Sequence, residues 1–180
     1  MNLEELRIDC AVKQKKGLHF ILASVVIWAL VAGIHATDLP ILSKNFYTFC
    51  ATAPLVPLAF LLSKFIGVEF SDGKNPLNGL GLLFSFNQLL YLLIAMWVYP
   101  TVPLKMVMVI GMIFGAHLLP YGWLYKSRSY MVMAVVIPLF SLFVGMGLSG
   151  FVYALVMVGV EVVFSLLLLF EVRKLGLKKV

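Results

Sequence analysis

Residues 151–170 read FVYALVMVGVEVVFSLLLLF, twenty positions whose single charge is Glu161. Roughly 20 mostly apolar residues are what an α-helix needs to cross the hydrocarbon layer of a bilayer. In lipid the backbone must satisfy its own N–H and C=O groups, so a lone stretch of this kind is helix. Working outward, the rest of the chain divides into five more such stretches, at about 18–36, 46–63, 77–98, 104–124 and 130–148, joined by short polar segments. The fold class is therefore all-α: a polytopic membrane helix bundle of six transmembrane helices, with residues 1–180 a single integral membrane domain. Composition agrees, since 62% of the 180 residues are hydrophobic and 12% charged. A soluble domain carries roughly 45–50% apolar and about 25% charged residues.

The net charge of +6 does not imply nucleic acid, because the basic residues flank apolar stretches and form no patch or stripe. They read as topology signals, and the lipid bilayer is the partner they imply. The N-terminal tail holds Arg7, Lys13, Lys15 and Lys16, the second connection Lys64 and Lys74, the fourth Lys126 and Arg128, and the C-terminal tail Arg173, Lys174, Lys178 and Lys179. The other three connections hold only Lys44 and Lys105. Cytoplasmic connections are enriched in Lys and Arg, so the expected topology is N-in and C-in at the plasma membrane, with 1–16 a cytoplasmic tail.

The first stretch follows basic residues as a signal peptide would, but it is longer than such a segment and lacks a small-x-small cleavage site. It reads as a retained span. Before it, Asn2 and Glu5 stand at capping-box spacing, and with Leu3, Leu6 and Cys10 on one side the tail reads either as a short interfacial helix or as a frayed end. Cys10 and Cys50 fall near opposite membrane faces, which excludes a disulfide between them. Trp97, Tyr99, Trp123, Tyr125 and Tyr130 lie near span ends and are expected as interfacial anchors. Trp28, well inside the first span, is the exception.

Helices in lipid associate through small residues and interhelical hydrogen bonds. Gly111, Gly115 and Gly122 share one face of the fourth span, and Ser141, Gly145 and Ser149 one face of the fifth; both stripes are expected to be helix contacts. Pro54, Pro57, Pro120 and Pro138 lie inside spans and each is expected to kink its helix. A faint echo between Gly33-Ile34-His35 and Gly115-Ala116-His117, with Pro54 and Pro57 loosely echoed by Pro138, is the trace of an inverted repeat that the sequence offers, and the third and sixth spans do not follow it.

Strongly polar groups at membrane depth are costly and tend to face a bundle interior or cavity. Glu161 stands first, and it needs a partner because desolvation disfavours a lone carboxylate. Asn87 and Gln88 are adjacent in the third span, so they point roughly 100° apart, and Tyr91 lies within reach of either. His117 sits in the fourth span upstream of Pro120, with no second ligand to suggest a metal, and no cofactor is expected. For each of these the alternative is a hydrogen bond that only pins helices. No H-E-x-x-H, C-x-x-C or G-x-S-x-G motif occurs, so nothing marks an enzyme. The polar loop at 67–75 has the wrong spacing for a phosphate-binding loop.

Asn87-Gln88-Leu89-Leu90-Tyr91, together with residues 115–127 (GAHLLPYGWLYKS) and the region 13–22, resembles a family of small bacterial multi-pass membrane proteins of unknown function. The resemblance implies a bacterial plasma-membrane protein and no substrate. Two functions compete: a transporter or carrier of a small solute or cation, with Glu161, Asn87, Gln88, Tyr91 and His117 around a midplane cavity, or a non-catalytic scaffold, accessory subunit or sensor. An enzyme acting on lipid stands third, without a nucleophile and base to pair. A carrier with only six spans would be a candidate homo-oligomer.

Overall fold

The computed structural model describes residues 2–68 and 75–177. The loop at 69–74, and with it Lys74, lies outside the described residues, as do Lys178 and Lys179. Eight α-helices follow one another: α1 Leu3–Lys13, α2 Leu18–His35, α3 Ile41–Thr52, α4 Leu55–Ile66, α5 Asn78–Thr101, α6 Met106–Leu124, α7 Arg128–Phe143 and α8 Gly150–Leu177.

Helix α1 starts where the capping box places it. Asn2 Oδ1 accepts the Glu5 N–H at 2.9 Å, and the Glu5 carboxylate accepts the Asn2 N–H at 2.9 Å. It is docked on the bundle: Arg7 donates to the Trp123 carbonyl, Lys126 pairs with Glu4, and Asn75 bridges the Leu6 carbonyl and the Asp9 carboxylate. Three successive left-handed residues, Lys15, Lys16 and Gly17 at φ 45°, 51° and 69°, then reverse the chain into α2. Glycine suits the last of them, since a side chain there would be strained in φ and would press on the rings of Tyr125 and Tyr130.

Helices α2, α5, α6, α7 and α8, with their flanking turns, are each long and apolar enough to cross a membrane. Helices α3 and α4 meet that test only together, across a bend of 41°. The expected second span is thus broken rather than kinked. In an unbroken helix Pro54 and Pro57 would donate to the Cys50 and Ala53 carbonyls; proline has no N–H, and two losses three residues apart end one helix and start another. Helices α6 and α7, with one interior proline each, continue through Pro120 and Pro138. Helix α7 stops at Phe143, before a 3-10 turn at Gly145–Gly147, earlier than the expected 148, while α8 runs past 170.

Two close helix pairs organise the bundle, α6 on α7 and α2 on α8. A methyl group placed on Gly115 would lie 2.5 Å from Pro138 Cδ, so the α6–α7 approach requires glycine there, whereas one on Gly122 would meet the flexible Met131 side chain, its Sδ at 2.6 Å. Trp28 is buried on α2 against Tyr153 of α8, ring centroids 6.0 Å apart. Tyr125 and Tyr130 are not interfacial anchors: both are buried, stacked with Tyr121 and, for Tyr130, edge-on to Phe164 at 4.9 Å. Trp97 and Trp123 are exposed. Both cysteines are free, Cys10 buried and Cys50 exposed.

Candidate functional site

The bend between α3 and α4 opens a cavity of about 290 Å³ in the bundle. Its wall is mostly apolar, with Trp28, Phe49, Leu55 and Phe114, and its polar groups are Ser24 of α2, Thr52 at the end of α3, and Ser85 and Gln88 of α5. Three of these four are already engaged. The Thr52 hydroxyl donates to the Phe49 carbonyl at 2.8 Å. Ser85 Oγ lies 2.7 Å from the Tyr121 hydroxyl, and Ser24 Oγ lies 2.7 Å from the Ile21 carbonyl. Gln88 alone brings an amide with no hydrogen-bond partner among the described residues.

Glu161 sits behind this wall. It is fully buried on α8, and its Oε2 lies 2.6 Å from Ser24 Oγ. Among the described residues its Oε1 has no hydrogen-bond partner, nor has Ser165 Oγ one turn further along. No cation among the described residues pairs with it. A serine hydroxyl has one hydrogen to give, and Ser24 has two acceptors within reach. Ser24 therefore divides its one hydrogen between the Ile21 carbonyl and Glu161 Oε2.

The structure separates Asn87 from Gln88 as their 100° offset requires. Gln88 faces the cavity, whereas Asn87 is exposed and donates to the Tyr91 hydroxyl at 2.9 Å on the outer face of α5. Asn87 and Tyr91 therefore do not join the cavity group. His117 lines a small adjoining void of about 30 Å³ that Ser85 and Gln88 also border. Its Nδ1 is 2.5 Å from the Phe114 carbonyl, so it bonds one turn back rather than to a carbonyl released by Pro120.

Three of the small residues gather around one ring. Gly111 and Gly145 both abut Tyr153 of α8, and Ser141 Oγ lies 2.5 Å from the Tyr153 hydroxyl. Ser149 is exposed at the start of α8, where its hydroxyl accepts the Val152 N–H at 3.3 Å. Ser24, Thr52 and Ser85 were not singled out from the sequence. A serine or threonine is tolerated on any face of an apolar helix because it can bond a carbonyl of its own preceding turn, so only the neighbours reveal which ones line a void.

Fold and site define a class: a multi-pass helical membrane protein with one broken span and an interior cavity beside a buried carboxyl. The chain belongs to the family of unknown function DUF7010, which it matches over residues 3–171. No curated protein and no solved structure matches it.

Proposed function

We propose that this protein is a carrier for a small, mostly apolar solute bearing a hydrogen-bonding group, acting in a bacterial plasma membrane with both termini cytoplasmic. The observation that carries the reading is the cavity at the broken span, which the unpaired Gln88 amide and Ser24 both line, with Ser24 bonded to Glu161. Broken helices at membrane depth are tolerated where they line a cavity, and carriers use them to build midplane binding sites. The apolar wall disfavours a bare cation, which would need several oxygen ligands in place of its water. Glu161 would couple movement to a proton, taking one up or releasing it as the Ser24 contact is made or broken.

The scaffold reading draws on one fact, that Glu161 is sealed from the cavity in this conformation. Cysteine access separates the two. Gln88→Cys in a Cys10→Ser, Cys50→Ser background is exposed to a small impermeant thiol reagent from each side of sealed vesicles. A carrier exposes that position to both sides in turn. A folded protein in which it is labelled from neither side has a sealed helix contact and no transport path.

A further inference from the structure

Lys44 and Lys105, the two basic residues that stand apart from the charged joints in the sequence, line one cavity of about 370 Å³. It lies at the end of the bundle away from α1, where α2 ends, α3 begins and α8 begins. His35 lines it as well, and no Asp or Glu does. Neither lysine has a carboxylate partner among the described residues: Lys44 donates to the His35 carbonyl at 3.4 Å and Lys105 to the Met146 carbonyl. Each ammonium has three hydrogens, so donors remain on both.

His35 is 8% exposed. The Thr48 hydroxyl donates to the Lys44 carbonyl, so its oxygen accepts from His35 Nε2 at 3.2 Å. Nδ1 is then the unprotonated ring nitrogen, an acceptor; it faces Gly150, where a methyl group would lie only 2.5 Å away, so the ring packs on the start of α8 and offers an anion no donor. The same cavity receives the first turns of α3, at Ile41, and of α8, at Gly150 and Phe151. The first N–H groups of a helix have no internal acceptor and carry partial positive charge.

We propose that this cavity binds a phosphate-type oxyanion, either free or as the headgroup of an anionic phospholipid. Two ammonium groups and two helix starts line it from different directions. That set matches a tetrahedral oxyanion, whose several oxygens accept at once, better than the two oxygens of a carboxylate. The exposed side chains of Leu104 and Phe151 at its rim would lie along acyl chains in the lipid case.

The test uses the full chain in uncharged detergent and in nanodiscs. Calorimetric titration with inorganic phosphate reads the free-anion source. Native mass spectrometry of phosphatidylglycerol retained in preference to phosphatidylcholine reads the lipid source. Wild type gives a signal in one arm or both, and Lys44→Gln and Lys105→Gln each weaken it about tenfold. Lys44→Arg retains it, and Lys64→Gln at the opposite end leaves it unchanged. Should Lys105→Gln fail to fold, having lost its bond to the Met146 carbonyl, Lys44→Gln decides alone. Wild type silent in both arms, or a signal indifferent to the lysine substitutions, overturns the proposal.

Discussion

Replacing the Glu161 carboxyl by an amide keeps its size and an oxygen to accept from Ser24 while removing the ability to ionise. Interhelical hydrogen bonds in membranes are worth roughly 0.6–2 kcal/mol, so Glu161→Gln should unfold within a few tenths of a kcal/mol of wild type and Glu161→Leu should lose up to about 2 kcal/mol. Under the carrier reading the Gln variant alone separates stability from action: it stays folded and loses the pH dependence of flux in vesicles. An unchanged pH profile would leave helix pinning as the reason for the carboxyl. Glycine makes a second comparison. Gly115→Ala pushes a methyl group against Pro138 and Ile137, whereas at Gly159 of α8 nothing lies within 4 Å. Overpacking costs about 1–3 kcal/mol, so Gly115→Ala should lower the thermal midpoint and Gly159→Ala should not. Equal midpoints would show that α6 and α7 can part at no cost.

At the scale of helices, the broken span is a claim about two prolines. Pro54→Ala with Pro57→Ala returns N–H donors to the Cys50 and Ala53 carbonyls. Two arms of 12 residues are about 18 Å long each, so straightening the 41° bend lengthens the span by about 2 Å. Spin labels at Leu42 and Phe65 report this as a distance; no change would mean that packing, not proline, holds the bend. Helix α1 offers a pH test. The hydrogen bond from the Lys126 ammonium is the chief cause holding the Glu4 carboxyl below the ordinary range. A depressed carboxyl contributes to docking above its undocked pKa and loses that contribution as pH falls through the docked one. Arg7 stacks on Trp123 at 4.5 Å, so in a Trp28→Phe, Trp97→Phe background the Trp123 emission should change on acidification. Glu4→Gln should already show the acid form's emission at neutral pH; if it matches wild type, Glu4 takes no part in docking.

For the whole molecule, the joints sort themselves into two ends. Asn45 donates to the Pro103 carbonyl at 2.9 Å, Lys105 to that of Met146, and His35 faces Gly150, so the joints after α2, α5 and α7 share one end. Lys15 reaches the Ile66 carbonyl and Lys16 pairs with Glu171 at 2.6 Å, which gathers α1 and the remaining joints at the other. The lysine partition predicts which end faces which side: tags at either terminus and at Gly73 should be reachable only from the cytoplasm, and tags near Asp38 or Thr101 only from outside. Labelling near Asp38 from the cytoplasmic side alone would reverse the assignment. Runs of about 20 apolar residues made the spans legible in the sequence, and a capping box did the same for α1. The facing of α5 was not legible, because it is apolar all round and only its neighbours select Gln88 over Asn87. Nor was the burial of Tyr125 and Tyr130, since a tyrosine at a span end reads alike whether it meets headgroups or another helix. The partner of Glu161 is 137 positions away, beyond any periodic signal.

The docking of α1 also orders events in time. Its Arg7 bonds a carbonyl 116 positions later in the chain, a stretch that takes about 6–23 s to synthesise at 5–20 residues per second. Until Asn75 is made, 69 positions after Leu6, α1 has only itself to lean on. Isolated helices of fewer than about 12–15 residues are marginal in water, and α1 has 11. Its capping box and its internal Arg7–Glu4 and Lys13–Asp9 pairs, at 2.8 and 2.7 Å, are the local contacts available before Asn75 exists. This segment is thus held in a waiting conformation, takes an early anchor at Asn75 and is fully latched only when the far end of α6 has emerged, so its complete docking reports that α6 is already in place.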